Sequence, residues 1–427
     1  MTTASFDVTA SFDVTVVGAG PAGCATALAH AQLGRRVLLL EAAHRAPARL
    51  AGEWLHPQGL AVLHRLGVDL APARPVTARG FVLHPEDGGP PITLPCPRGG
   101  RAASLHHRDL VTALRTAAGA HPGITLALGA RVTAVHGATV TWTHGSGPEH
   151  RVHARRIVGA DGQSSLVRRL LHPAPAPATT VSRTAGLLLH GVALPREGYG
   201  HLFAGAPGPV LAYRLDAGTV RLTLDVPLLP LRGERLLSYV RHAYPPALPG
   251  PLARALRAVL EHTPPQWAVN RLRPRGFHGR GRHALVGDAA GTCHPLTASG
   301  LTIALRDAEC LARARDLTAH SARRAAAVRA HEHLAAALHR LFCDPARPTA
   351  DLRRGLYAVL RASASERERT MRVLCVEEHS TPALAGAVLH VAARTVRERL
   401  AAGEGYRGIA DCMGWLRWMS RTPGPVI

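Results

Sequence analysis

Three glycines and three acids hold most of the chemistry available to this chain. Gly18, Gly20 and Gly23 stand in the order G-x-G-x-x-G, and Glu41 follows 18 residues after the last of them. In a dinucleotide-binding turn the first glycine permits a tight strand-to-helix reversal and the second lets the backbone approach a pyrophosphate. The third lets helix and strand pack closely. An acid about 20 residues on takes the ribose hydroxyls, and unpaired amides at the helix start take the phosphates. Asp161, in Val158-Gly-Ala-Asp161-Gly162, and Asp288, in Val286-Gly287-Asp288, each leave an apolar run beside a glycine. Acids so placed can reach a cofactor lying on the first turn. Gly300 opens a helical stretch beyond Asp288, and its amides are expected to aim back at the same ligand.

Each of these residues needs an element to hold it. Val14, Val16 and Val17 read as a strand entering the first turn, an Ala-rich helix runs on to Gly34, and Val37 to Leu40 is a second strand ending on Glu41. Short helices are expected over Leu60 to Leu66, His106 to Ala118 and Ser164 to Leu171. Residues 68 to 100 and Gly186 to Val226 carry short apolar runs punctuated by Pro and Gly, as antiparallel strands do. Residues 124 to 158 alternate in strand fashion, and Leu236 to Leu260 looks helical around a Pro-rich break at 245 to 251. Pro173 to Pro177 marks a stiff crossing. His294 is expected to shape the site more than to transfer protons.

Composition narrows the classes. A chain of 427 residues is too long for one ordinary core. All 51 basic residues are arginine, and against 29 acids they give a formal charge of +22. No basic run is interleaved with aromatics, which argues against nucleic acid; the charge leaves room for peripheral contact with a membrane surface. Seven scattered cysteines without C-x-x-C spacing fit reduced thiols in a cytoplasmic protein. Ser5 to Thr9 recurs as Ser11 to Thr15, and the first copy reads as a dispensable extension. No signal-peptide pattern and no run of about 18 apolar residues is present. Hydrolase elbows, H-E-x-x-H and zinc spacings are missing, so neither a catalytic triad nor a metal is expected.

Taken in order, the glycine turn, the Asp-Gly near 160 and the Gly-Asp near 288 resemble the flavoprotein monooxygenases of the aromatic-hydroxylase fold. Within that superfamily the chain is most similar to squalene epoxidases. Their G-E-x-L-Q-P-G-G is matched by Gly52-Glu-Trp-Leu-His-Pro-Gln-Gly59, and their G-D-A-x-x-x-x-H-P-L-T-G-G-G-M-T by Gly287 to Thr302. The resemblance covers most of residues 12 to 345. It implies bound FAD, with Glu41, Arg49, Arg108, Val132, Asp288 and Leu301 at matching cofactor positions. The chain departs from the pattern at Ala298-Ser299, at His56 and at Gln58. It departs again downstream, where Ser363 to Thr370 is polar and the helix Leu384 to Leu400 has a narrow apolar face suited to lying on a surface.

The resemblance implies an α/β fold: a Rossmann-like FAD-binding domain of the aromatic-hydroxylase type, an inserted antiparallel β-sheet substrate domain and a C-terminal helical region. The expected boundaries are 1–70, 101–172 and 275–344 for the FAD domain, 71–100 and 173–274 for the substrate domain, and 345–427 for the helices. The expected function is FAD-dependent monooxygenation, with molecular oxygen activated as a flavin hydroperoxide that epoxidises an apolar alkene of terpenoid, polyene or related type. NAD(P)H is the expected electron donor, acting directly over the flavin or through a separate flavin reductase. The substrate wall is expected in Gly186 to Asp225, with Arg214, Asp216 and Arg221 turned to solvent by strand alternation. Aromatic-ring hydroxylation is the alternative, and His56, His190 and His201 are its candidate bases. A prenyl reductase and a non-catalytic flavin-binding scaffold stand further off.

Overall fold

The structure, a computed structural model, describes residues 11–47, 50–171, 178–403 and 405–420. Arg49, the first Ser-Phe-Asp-Val-Thr copy and the crossing at 173 to 177 lie outside these residues.

The apolar run Val37–Glu41 is buried from Val37 to Leu40, as a strand covered on both faces must be. It lies between Ser11–Val17 and Ile124–Leu128, parallel to both. The sheet continues from Ser11–Val17 through Glu149–Gly159 to His283–Leu285, again in parallel, and closes on Gly279–Arg280. Two further strands, Ala130–His136 and Thr139–His144, pair antiparallel alongside Glu149–Gly159, giving eight strands in all. The helices Pro21–Ala31, His107–Ala120 and Gly300–Ala312 bury their apolar sides in the core over one face. Glu41, Ala160 and Val286 therefore leave the same edge of one sheet, because parallel strands end together.

A seven-stranded sheet holds Gln266–Leu272, Thr179–His190, Thr219–Pro227, Val210–Arg214, Gly200–Phe203, Gly80–His84 and Ile92–Pro95, in that spatial order. It is antiparallel except where Gly200–Phe203 runs beside Gly80–His84. Thus the hairpin at 80 to 95 and the segment after 178 build one sheet from separate stretches of chain. Helices Gly233–Ala243 and Gly250–His262 cover one of its faces. Residues Phe81, Leu83, Leu94 and Tyr213 share a second core with the helices Leu317–Cys343, Arg347–Ala362 and Ala364–Leu374. The helix Thr381–Ala401 buries Leu384 in that core, while Leu389 and Leu400 are more than half exposed. It is packed between other elements along one side and does not simply lie on the surface. No helix of the described residues is long and apolar enough to cross a membrane.

One expectation fails here. Arg221 does not face solvent: it is 4% exposed and sends two hydrogen bonds, 2.8 and 2.7 Å long, to the carboxylate of Glu53. The hydroxyl of Tyr213 donates to the same carboxylate at 3.2 Å. Alternation did assign Arg221 to one side of its strand, but that side is covered by the Glu53-Trp54-Leu55 segment, which brings the matching charge. Arg214 is mostly buried beside Glu197, and Asp216 is half-buried, paired with His106 at 3.1 Å. Removing one partner of a buried pair strands the other charge, at a cost of about 3–5 kcal/mol, whereas replacing both is far milder. Arg221→Met should therefore lower unfolding stability in urea by about that amount, and Glu53→Leu with Arg221→Met by clearly less. A single-variant loss below about 1 kcal/mol would show that the pair is solvated.

Candidate functional site

The three motifs converge. Gly18 has φ +101°, and a Cβ there would stand 2.6 Å from the carbonyl oxygen of Ala160 and 3.2 Å from the Cα of Asp161. A Cβ on Gly23 would fall 1.7 Å from the oxygen of Gly18, so no side chain fits. Gly287, at φ +59°, packs its backbone against Ala22 and Ala304. The glycine turn, the Asp-Gly and the Gly-Asp thus touch at the start of the helix Pro21–Ala31. Gly20 and Gly300 differ from these three, since a Cβ on either would meet nothing within 4 Å. Neither helix start, at Pro21 or at Gly300, is capped by a side chain. Open backbone and uncapped amides are what a pyrophosphate and a flavin ring require.

Glu41 sits against the glycine turn. Its Oε2 accepts from Ala19 N–H and its Oε1 from Ala43 N–H, both at 2.8 Å, and Arg115 Nη2 lies 3.3 Å away. Arg115, which the sequence reading passed over, also donates to Ala19 O and Ala43 O. The carboxylate is thereby held on the turn with capacity left for hydroxyl donors. Asp288 is exposed in the short helix Gly287–Ala289, beside Gln163, Arg271, Arg273 and Thr292 around a small polar hollow. From behind, Asp307 accepts from Gly287 N–H at 3.2 Å and is itself held by Arg324. These residues fit FAD: the cradle is open, its amides are free, and acids stand at both ends.

Other expected cofactor residues are placed less directly. Asp161 points its Oδ2 at Leu166 N–H, 2.7 Å away, and so anchors the helix Leu166–Leu171. It meets the first turn through its backbone, not its carboxylate. Arg108 is exposed and pairs with Asp109, and Val132 packs beside the core on the sheet's other face. Leu301 covers Gly52, where a Cβ would come within 2.7 Å of its Cγ.

Beyond Gly287 the chain crosses to the second sheet by the turn His294 to Leu301, and here buried histidines gather. His56 donates from Nε2 to Thr297 O at 3.0 Å, and its Nδ1 faces the thiol of Cys375. His331 donates from Nδ1 to Val373 O at 3.1 Å, leaving Nε2 to accept from Ser299 Oγ. Burial pushes both down to about pKa 4, so both are neutral at ordinary pH. Asp225 accepts from His294 Nε2 (3.3 Å) and His339 Nδ1 (3.2 Å), with Cys343 and Asn270 close by. That spacing suits a metal, but Leu296 N–H donates to His294 Nδ1. The ring proton must then sit on Nε2, where a metal would need a lone pair. The group is a hydrogen-bonded hub. Apart from the local bond between Leu296 and His294, these contacts are not legible in sequence, because their partners lie 32 to 319 positions apart.

On the far side of this turn lies an apolar cavity, with an empty volume of about 1330 Å³ that includes its open mouth. Leu296 and Thr297 line it from the turn, Phe81, Leu83, Leu94, Leu202 and Leu211 from the sheet, and the helices from Leu317 onward supply the rest. The expected wall, Gly186 to Asp225, contributes only Leu202 and Leu211. Of the histidines proposed as bases, His201 is hydrogen-bonded between Arg196 O and His84, and His190 is exposed beside Thr219.

Because Glu41 anchors the glycine turn with acceptor capacity to spare, Glu41→Ala should weaken FAD binding by roughly 1–3 kcal/mol. Titration of the apoprotein with FAD, read by flavin fluorescence, measures this. Unchanged affinity would remove Glu41 from the site.

Comparison with known proteins agrees with this geometry. Residues 11–199 match the model of an FAD binding domain, and residues 153–405 match that of squalene epoxidase. A squalene epoxidase of Aspergillus fumigatus is 31% identical over 314 residues, covering 69% of this chain and 64% of its own. A squalene monooxygenase of Panax ginseng is 29% identical, covering 70% and 58%. The chain thus spans less than two thirds of the length of these relatives. In fold it is similar to a flavin-dependent brominase, with TM-score 0.73 at 16% identity over 91% of this chain and all of the other. The second match alone takes in more than half of the sequence, and the chain belongs to the squalene epoxidase family.

Proposed function

We propose that this protein is an FAD-dependent monooxygenase that epoxidises an apolar alkene. The observation that carries the reading is the apolar cavity ending on Leu296 and Thr297, at the turn that leads into Gly300. Bound FAD, once reduced, supplies the activated oxygen. The chain's own residues bind, orient and keep dry. The amides of the first helical turns after Pro21 and from Gly300 take phosphate and ring, Glu41 takes the ribose, and the cavity aligns an alkene and excludes water. An isolated double bond needs no base. In keeping with this, His56 and His331 are neutral and already hydrogen-bonded.

Phenol hydroxylation would call for a residue free to take a proton, and His56, His190 and His201 are engaged elsewhere or lie at the surface. The names of the relatives point to squalene as one alkene to try. Electrons are expected from NAD(P)H, directly or through a separate reductase.

The test is turnover of the FAD-loaded protein under oxygen-18, with reductant, across terpenoid and polyene alkenes and phenols. One labelled oxygen per epoxide is expected, with rates nearly flat from pH 5.5 to 8. Histidines whose pKa is lowered to about 4 stay neutral throughout that window. Exclusive phenol hydroxylation that collapses when a histidine is replaced would overturn the reading.

A further inference from the structure

We propose that the cavity takes an amphiphilic polyene, with an oxyanion head group at Arg369 and its reacting alkene at the Thr297 end. The inference rests on the functional reading above. The helix Ala364–Leu374 forms one cavity wall, with Arg369, Thr370, Val373 and Leu374 all facing the space. Its inner end is fixed: Val373 O accepts from His331, which is bonded to Ser299, next to Gly300. Arg369 lies four residues earlier, about 6 Å back along the helix axis. Its side chain is 40% exposed, so it stands where the cavity meets solvent.

Arg369 is the charged side chain among the described residues lining this cavity, whose other walls are largely Leu, Val, Ala and Phe. Its Nη1 donates to both oxygens of Glu366, at 2.9 and 3.1 Å. Glu366 Oε1 is also 3.1 Å from Nδ1 of His390, so this carboxylate is shared between two cationic or proton-bearing groups. A guanidinium has five donors in a planar fork. With one nitrogen committed to Glu366, the remaining edge can take a carboxylate or phosphate in a charge-assisted contact. Thr370 adds a hydroxyl beside it. A hydrocarbon filling the cavity would leave this edge to water alone, whereas an oxyanion gives it a second charge-assisted contact. A chain with a polar head and an apolar tail satisfies both ends and keeps charge away from the reacting carbon.

Equilibrium dialysis of the FAD-loaded protein against a polyprenyl carboxylic acid, the matching monophosphate, alcohol and hydrocarbon tests this. The acid or the phosphate should bind at least tenfold tighter than the hydrocarbon, and comparison of the two identifies the head group. Arg369→Met should bring the anionic ligands to the hydrocarbon's affinity without weakening the hydrocarbon. Equal affinities in the wild type, or a preference that survives Arg369→Met, would overturn the proposal. Should that variant not fold, raising salt from 50 to 500 mM on the wild type decides, because a half-exposed ion pair is screened. An anion preference indifferent to salt refutes it. Binding is read without turnover, so the two readings separate. Epoxide formation with no head-group preference refutes only this inference. A clear preference with no epoxide from any alkene refutes only the functional one.

Discussion

The turn from His294 to Leu301 must border two environments with opposite demands. On one side it opens into a helix start that no side chain caps, where the proposed cofactor would lie; on the other, Leu296 and Thr297 line an apolar cavity. A charged side chain anchoring this turn would spoil the cavity, and an unsatisfied polar group would cost a few kcal/mol. Neutral imidazoles resolve the conflict. Each has one donor and one acceptor, so His56 can hold Thr297 O while accepting from Cys375, and His331 can hold Val373 O while accepting from Ser299. Burial, not a charged neighbour, is the largest cause of their lowered pKa values.

Two buried ion pairs brace the elements around the site. Glu53 with Arg221 ties the segment before the helix Pro57–Arg65 to the second sheet, and Asp307 with Arg324 braces the Gly287 turn. Both are compensated pairs, which set relative placement more than they add stability. Asp225 does the same for three elements at once, receiving His294 from the turn, His339 from a cavity-lining helix and Asn270 from the strand Gln266–Leu272, one strand removed in the sheet. One carboxylate thus joins the turn, a cavity-lining helix and the second sheet.

How much of this was legible in the sequence depends on how local each signal is. The Gly18 to Glu41 unit was readable in full, because strand, turn, helix and acid are contiguous and each glycine has a steric reason. The Gly287-Asp288 turn and the helix start at Gly300 were readable for the same cause. Asp161 was recognised as part of the site, yet its carboxylate serves the following helix, a choice between two nearby amide donors that spacing cannot make. Arg221 was misjudged because alternation assigns a face without saying what covers it, and the cover comes from Glu53, 168 positions away. The cavity wall was sought in the sheet strands, whereas most of it comes from helices after Leu317, whose apolar stripes look the same whether they pack on protein or line a space.

The central claim is spatial: the cofactor lies across Gly20 and Gly300, and the alkene lies in the apolar cavity beyond Thr297. A crystal structure of the FAD-loaded protein with a polyene bound measures this directly. The account predicts the pyrophosphate at the amides after Gly20, the isoalloxazine ring at the Gly300 helix start, and a double bond of the ligand facing that ring from the Thr297 end. A flavin seated away from Gly300, or a polyene bound outside the cavity, would contradict it.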